Sequence, residues 1–183
     1  PDTSPDFDEA ERVGKAAKTL NLSYVVVTSV TRDDIQDGGA SVFAETIKKV
    51  KEHNPDALVE VLIPDFNGRT DDLKTVLNAK PAVLNHNIET VSRLFPIIRP
   101  GADYHQSLNL LKQSFEIAPE IPVKSGIMLG LGETDKDIET TMADLIRHGC
   151  SILTLGQYLQ PSKNHIPVDR FIHPDEFKKW EEK

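Results

Sequence analysis

The feature that most restricts the fold is a regular alternation of two periodicities along 183 residues. Short apolar, β-branched runs at Leu22–Val30, Leu58–Ile63, Val83–Asn87, Val123–Leu129 and Ile152–Leu159 are bounded by polar residues, Pro or Gly, and each predicts a strand. Between them apolar residues recur at helical spacing. Ala40, Phe43, Ala44, Ile47 and Val50 share one face, as do Leu108, Leu111 and Phe115, and Ile138, Met142, Leu145 and Ile146. Thr134 with Asp137 resembles a capping box and Gly149 a C′ glycine, so a helix is expected over Asp135–His148. Further helices are expected over Phe7–Leu20, Thr70–Asn78 and Pro174–Lys183. Strands separated by helices run parallel, because a hairpin turn cannot join them.

A doubly wound sheet and a piece of a (β/α) barrel both satisfy that order. The first strand is followed by Thr28 to Asp34 rather than by Gly-x-Gly-x-x-Gly, which favours the barrel. Polar residues gather after the strands, at Thr28 to Asp37, Asp65 to Arg69, Asn85 to Glu89, Glu133, and Gln157 with Gln160. In a barrel those ends form one mouth, where active sites are built. The length suits a single domain over residues 1–183. A net charge of −8 argues against nucleic acid or an anionic membrane as partner, and no apolar run is long enough for a membrane span. The chain opens Pro-Asp-Thr-Ser-Pro without an export signal, so the cytoplasm is the default location, or a mitochondrion or plastid where a targeting segment has been removed.

Several residues could carry chemistry. Gly38-Gly39 lets backbone approach a ligand, or simply shapes a polar turn. Asn85, Asn87 and Glu89 fall on one side of a strand end, where amides and a carboxylate suit ribose hydroxyls or an amino group, or close a polar layer among themselves. His86 points the other way and reads as packed. Lys124, at a strand start, is a Schiff-base nucleophile, a clamp on a carboxylate, or an exposed lysine. Gly130 to Glu133 reads as a tight βα turn, because no Lys-Ser/Thr follows it. The six histidines form no His-x-His or His-Glu-x-x-His pair, no Gly-x-Ser-x-Gly occurs, and Cys150 follows a helix C-terminus.

Read together, VVVTSVTRDDIQDGGA (Val25–Ala40), VEVLIPDF (Val59–Phe66), VLNHNIETV (Val83–Val91), RPGADYHQSL (Arg99–Leu108), KSGIMLGLGET (Lys124–Thr134) and LTLGQYLQPS (Leu153–Ser162) resemble the lipoyl synthase family of the radical S-adenosylmethionine superfamily. The resemblance runs from Asp6 to Glu176. It implies a partial (β/α)6-type TIM barrel with parallel strands whose first strand is missing here. The implied activity is that of a sulfurtransferase, which inserts sulfur at two carbons of an octanoyl chain on a lipoyl carrier domain or H protein. The implied cofactors are S-adenosylmethionine and two 4Fe-4S clusters.

By the same resemblance Gly38-Gly39 is the segment that receives the methionine amino group, with Thr28 and Ser29 lining that pocket. Asn87 and Glu89 contact the ribose or the amino group. Arg99 and Lys124 are candidates for the methionine carboxylate, and Gly130 to Glu133 with Gln157 and Tyr158 lie where backbone meets the adenine. No residue is assigned as catalytic, and no metal ligand is expected in this chain, since its one cysteine, Cys150, cannot hold a cluster. The span by itself is therefore expected to be inactive, the core of a longer enzyme truncated at both ends. Two rivals remain: a cluster-free module binding S-adenosylmethionine or a carrier domain, and a Schiff-base barrel aldolase with Lys124 as nucleophile.

Overall fold

The computed structural model describes residue 6 and residues 8–183. Elements alternate as α1 (Glu9–Thr19), β1 (Tyr24–Thr28), α2 (Ala40–His53), β2 (Leu58–Leu62), α3 (Thr70–Asn78), β3 (Val83–Asn85), α4 (Phe95–Ile98), α5 (Tyr104–Ile117), β4 (Val123–Leu129), α6 (Asp135–Arg147), β5 (Ile152–Gln157) and α7 (Pro174–Glu181), with a single 3-10 turn at Phe66–Gly68. The expected start of α1 at Phe7 lies outside the described residues.

All five strands are parallel and lie in the order β1-β2-β3-β4-β5. That order decides between the two architectures. Right-handed crossovers between successive neighbours put every helix on the same side of the sheet, whereas a doubly wound sheet reverses direction part-way and covers both sides. The helices accordingly pack in sequence, α1 on α2, α2 on α3, α3 on α5 and α5 on α6. The result is an open parallel barrel segment.

Strand alternation then sorts the side chains. Val25, Val27, Val59, Val61 and Leu84 face the helices and pack with Ile47, Leu73 and Val76. A second cluster, with Leu111, Val123, Ile127, Leu129, Ile138 and Leu145, lies under β4. Burial of each such side chain contributes about 1.5–3 kcal/mol. The opposite, inner face carries Tyr24, Val26, Leu58 and Ile152, all exposed.

Local chemistry sets the ends of α6. The Thr134 hydroxyl accepts from the Asp137 N–H at 3.2 Å while Asp137 Oδ2 accepts from the Thr134 N–H at 3.0 Å. Gly149, at φ 79°, ends the helix in the left-handed region. Four strands are shorter than the apolar runs that announced them, β2 by Ile63 alone. β1 excludes Leu22 and Val30, β3 stops at Asn85, and β5 stops at Gln157, because pairing ends where the neighbouring strand does.

Candidate functional site

The C-terminal ends of β1, β2 and β3 enclose a cleft of about 370 Å³, to which Thr28, Ser29, Asp65, Asn87, Glu89 and Arg99 contribute. Each reaches it because parallel strands bring their following loops to one rim. The floor of the cleft is the chain after β3. It leaves the ladder at Asn85 and touches β4 once more, where the Glu89 N–H donates to the Gly126 carbonyl at 2.9 Å and the Met128 N–H donates to the Glu89 carbonyl at 2.8 Å.

Glu89 holds φ 67°, a left-handed backbone that a glutamate adopts only when its surroundings impose it. Burial holds its carboxyl above the usual range, against the opposing charge of Arg99 and the Asn87 amide. Arg99 itself makes no ion pair among the described residues, so its guanidinium stands in the cleft with donors to spare. Buried Oδ1 of Asn87 has no hydrogen-bond partner, and neither do Oδ1 of Asn85 and Oγ1 of Thr90. Three orphaned acceptors within six residues are unusual, since buried polar atoms are nearly always paired. The Asn87 amide fits because Gly126 faces it: a Cβ there would lie 2.7 Å from Oδ1. His86 is packed, its ring nitrogens 2.9 Å from the Ile63 carbonyl and 3.1 Å from Ser107 Oγ, and burial pushes its pKa down.

Below the cleft, on the same inner face, lies a polar layer. Glu60, 3% exposed, accepts from Lys124 Nζ at 2.8 Å and from the Tyr24 hydroxyl at 2.5 Å, with Asn85 Nδ2 at 3.3 Å. Burial opposes ionisation of Glu60, but the Lys124 and Tyr24 donors outweigh it and hold the carboxyl below its usual range. Burial and that carboxylate together push the Tyr24 phenol up to about 12. Lys124 is therefore tied into an ion pair near the start of β4, away from the rim. A Schiff-base nucleophile needs a free amine with room for a carbonyl carbon, which this pairing withholds.

The remaining candidates sit around the cleft rather than in it. Gly38, at φ 58°, packs on Phe66, and the Asp37 carboxylate accepts from the N–H groups of Gly39 and Ser41 at 3.0 and 2.9 Å. Gly39 adjoins a neighbouring hollow that shares Thr28 and Ser29 with the cleft. At the β4–α6 turn, Glu133 accepts from the N–H groups of Gly130 and Leu131 at 2.6 and 2.9 Å. The Gln157 amide donates to the Arg170 carbonyl and accepts from the Ile172 N–H, while the Tyr158 hydroxyl donates to the Ile166 carbonyl. Gln157 and Tyr158 thus pin the segment between β5 and α7, with their side chains outside the cleft.

Asp65 and Asn67 line the cleft as part of the polar run expected at the mouth, whereas the Pro100–Ala102 turn lines it without having been assigned to the site, and Glu60 was passed over within an apolar strand. A charge at an inward position of LVEVLI was the readable signal for Glu60.

A family model for the radical SAM superfamily matches residues 1–145. The chain belongs to the radical SAM superfamily. Within that superfamily it is similar to lipoyl synthases of Bordetella pertussis (52% identical over 177 residues, 96% of this chain and 53% of the relative), Desulfotalea psychrophila (52%, 97% and 59%) and Caldicellulosiruptor saccharolyticus (51%, 97% and 62%). The chain thus spans about half to three-fifths of the length of these relatives. Among solved structures it is similar to HydG, a maturase of the [FeFe]-hydrogenase, with TM-score 0.73 at 18% identity over 97% of this chain and 42% of that one. It is also similar to methylornithine synthase, with TM-score 0.68 at 15% identity over 92% of this chain and 48% of that one. At those identities the likeness is one of fold.

The superfamily implies S-adenosylmethionine and a 4Fe-4S cluster. The residues here do not fit a cluster: among the described residues no three His, Cys, Asp or Glu side chains are placed to hold a metal ion, and burial pushes the thiol of Cys150 up. They do fit S-adenosylmethionine, because the orphaned Oδ1 of Asn87, the Glu89 carboxyl and the Arg99 guanidinium meet in one cleft. No helix among the described residues is long and apolar enough to cross a membrane.

Proposed function

We propose that this chain is the S-adenosylmethionine-binding core of a lipoyl synthase, a sulfurtransferase acting on an octanoyl chain carried by a lipoyl domain or H protein. The observation that carries the reading is identity above 50% over nearly the whole span to relatives so named. Given one electron from the superfamily's 4Fe-4S cluster, bound S-adenosylmethionine would supply the carbon radical that abstracts hydrogen from an unactivated chain, with methionine as the other product.

This chain's own residues bind and orient. Oδ1 of Asn87 accepts from a ribose hydroxyl or the amino group, and Glu89 pairs with whichever of the two remains. Arg99, in the cleft, takes the carboxylate with its planar fork, since Lys124 is held by Glu60. Thr28 and Ser29 close the β1 side, and Gly38-Gly39 presents backbone from the neighbouring hollow. The β4–α6 turn and the Gln157–Tyr158 segment frame the adenine side as a rigid rim.

The test uses the full-length protein that contains this span, with its clusters reconstituted. Calorimetry should show S-adenosylmethionine binding that weakens at least tenfold in Asn87→Ala and in Arg99→Gln. Mass spectrometry of an octanoylated H protein should show addition of two sulfur atoms. Binding unchanged in both variants would move the cofactor elsewhere, and cofactor binding without sulfur addition would point to another radical reaction.

A further inference from the structure

The Glu60–Lys124 pair is costly where it stands. It lies on the inner face of the sheet, with Glu60 almost wholly out of water and Oδ1 of Asn85 beside it unpartnered. Desolvation of two charges often cancels their attraction, so such a pair is a poor source of stability. The side chains above it, toward the cleft, are of a different kind. Leu62, one inward position beyond Glu60 on β2, and Met128, two beyond Lys124 on β4, are half-buried, while Val26 pairs with Glu60 in register and flanks the pair, 55% exposed. The Thr154 hydroxyl is turned onto the Ser125 carbonyl at 3.2 Å, and a Cβ on Gly156 would meet nothing within 4 Å. An apolar, partly side-chain-free wall therefore runs from the cleft down to an ionic layer. Four residue steps along β4, from Lys124 to Met128, separate the two levels, roughly 13 Å at the usual rise per strand residue.

We propose that the Glu60–Lys124 pair is the floor of a shaft for the acyl tail and sets the chain length the site accepts. The inference rests on the reading that the substrate is an octanoyl chain. Methylenes lying against Leu62 and Met128 leave water at little cost. A tail long enough to press on the floor must strip solvent or partners from a buried carboxylate and ammonium, which is strongly unfavourable. Discrimination is therefore steep on the long side only. A hydrophobic pocket alone separates neighbours differing by one methylene by about 10- to 200-fold, and an ionic stop sharpens that limit.

Competition binding to the full-length protein, with no reductant so that nothing turns over, tests this using a lipoyl domain acylated with butanoyl, octanoyl or dodecanoyl groups. The wild type should prefer octanoyl over dodecanoyl by at least tenfold. Replacing both charges at once, Glu60→Leu with Lys124→Met, leaves no ion unpaired and should bring that preference within threefold. Leu62→Phe keeps the floor and fills the shaft above it, so it should lose octanoyl binding at least tenfold while retaining butanoyl, and it decides the matter where the double variant does not fold. Unchanged chain-length preference in the double variant, or octanoyl binding unaffected by Leu62→Phe, overturns the floor. Equal binding of acylated and unacylated domains in the wild type overturns the function reading as well, and so separates the two failures.

Discussion

The β4–α6 turn and the chain following β3 lie side by side at one rim, and they treat their polar atoms in opposite ways. At the turn the polar side chains are paired with nearby donors. Glu133 takes the N–H groups of Gly130 and Leu131, Thr134 and Asp137 cap each other, and Arg93 bridges Asp137 and the Gly132 carbonyl. After β3 the reverse holds: three buried acceptors are unpaired, a glutamate sits in left-handed backbone, and its carboxyl is partly desolvated. A turn satisfied internally has nothing left for a ligand and serves as scaffold. A segment held in place by β4 yet unsatisfied in its own side chains is ready for one.

Mutations sharpen the contrast. Gly130→Ala should have the largest effect on stability, roughly 3 kcal/mol or more by urea unfolding, because φ is 100° and the new Cβ would meet the Arg170 carbonyl and Gln157 Nε2, each at 2.5 Å. Glu133→Ala removes a charged acceptor from two backbone donors and should cost about 2 kcal/mol. Thr134→Ala should cost about 1 kcal/mol, the usual loss on removing an N-cap hydroxyl.

Asp137 adds a pH signature to that corner. Arg93 first, and then the Thr134 N–H, hold its carboxyl down at about 2. Its contribution is therefore complete above an unfolded carboxylate pKa of about 4 and lost as pH falls toward 2. Acid unfolding of Asp137→Asn should lack that component.

Across the rim the effects on stability shrink and reverse. Because burial raises the carboxyl pKa of Glu89, its stabilising protonated form dominates at low pH, and ionisation weighs against the fold as pH rises. Glu89→Gln should match the wild type near pH 4 and be slightly more stable at pH 8, by less than about 1 kcal/mol, while binding S-adenosylmethionine at least tenfold more weakly. A Glu89→Gln protein that loses stability at pH 8 would make the β3 segment scaffold too, and erase the distinction.

Element order was legible because its signals are local. Apolar spacing, Pro174 at the start of α7, Thr134 with Asp137, and Gly149 each act within a few residues and appear where expected, except that Phe115 and Ile146 of the expected apolar faces are exposed. The candidate cleft was legible at the β3 end, in that Asn87 and Glu89 both line it. The roles of the two cations were not. Arg99 and Lys124 look alike as charges in a sequence, and only folding put Glu60, 64 residues away, at 2.8 Å from Lys124 and left Arg99 in the cleft. Gln157 and Tyr158 were hidden in the same way, since the carbonyls they bind belong to residues 8 and 13 positions further on in an irregular segment.

What the sequence by itself determined, then, is the succession of parallel strands and outer helices, because backbone propensity, capping and burial periodicity are settled within a turn or a strand. Which polar side chains become structure and which remain open to a ligand was decided only in the tertiary structure. Satisfaction of a buried donor or acceptor depends on what the neighbouring strands bring within about 3 Å, and no local pattern specifies that.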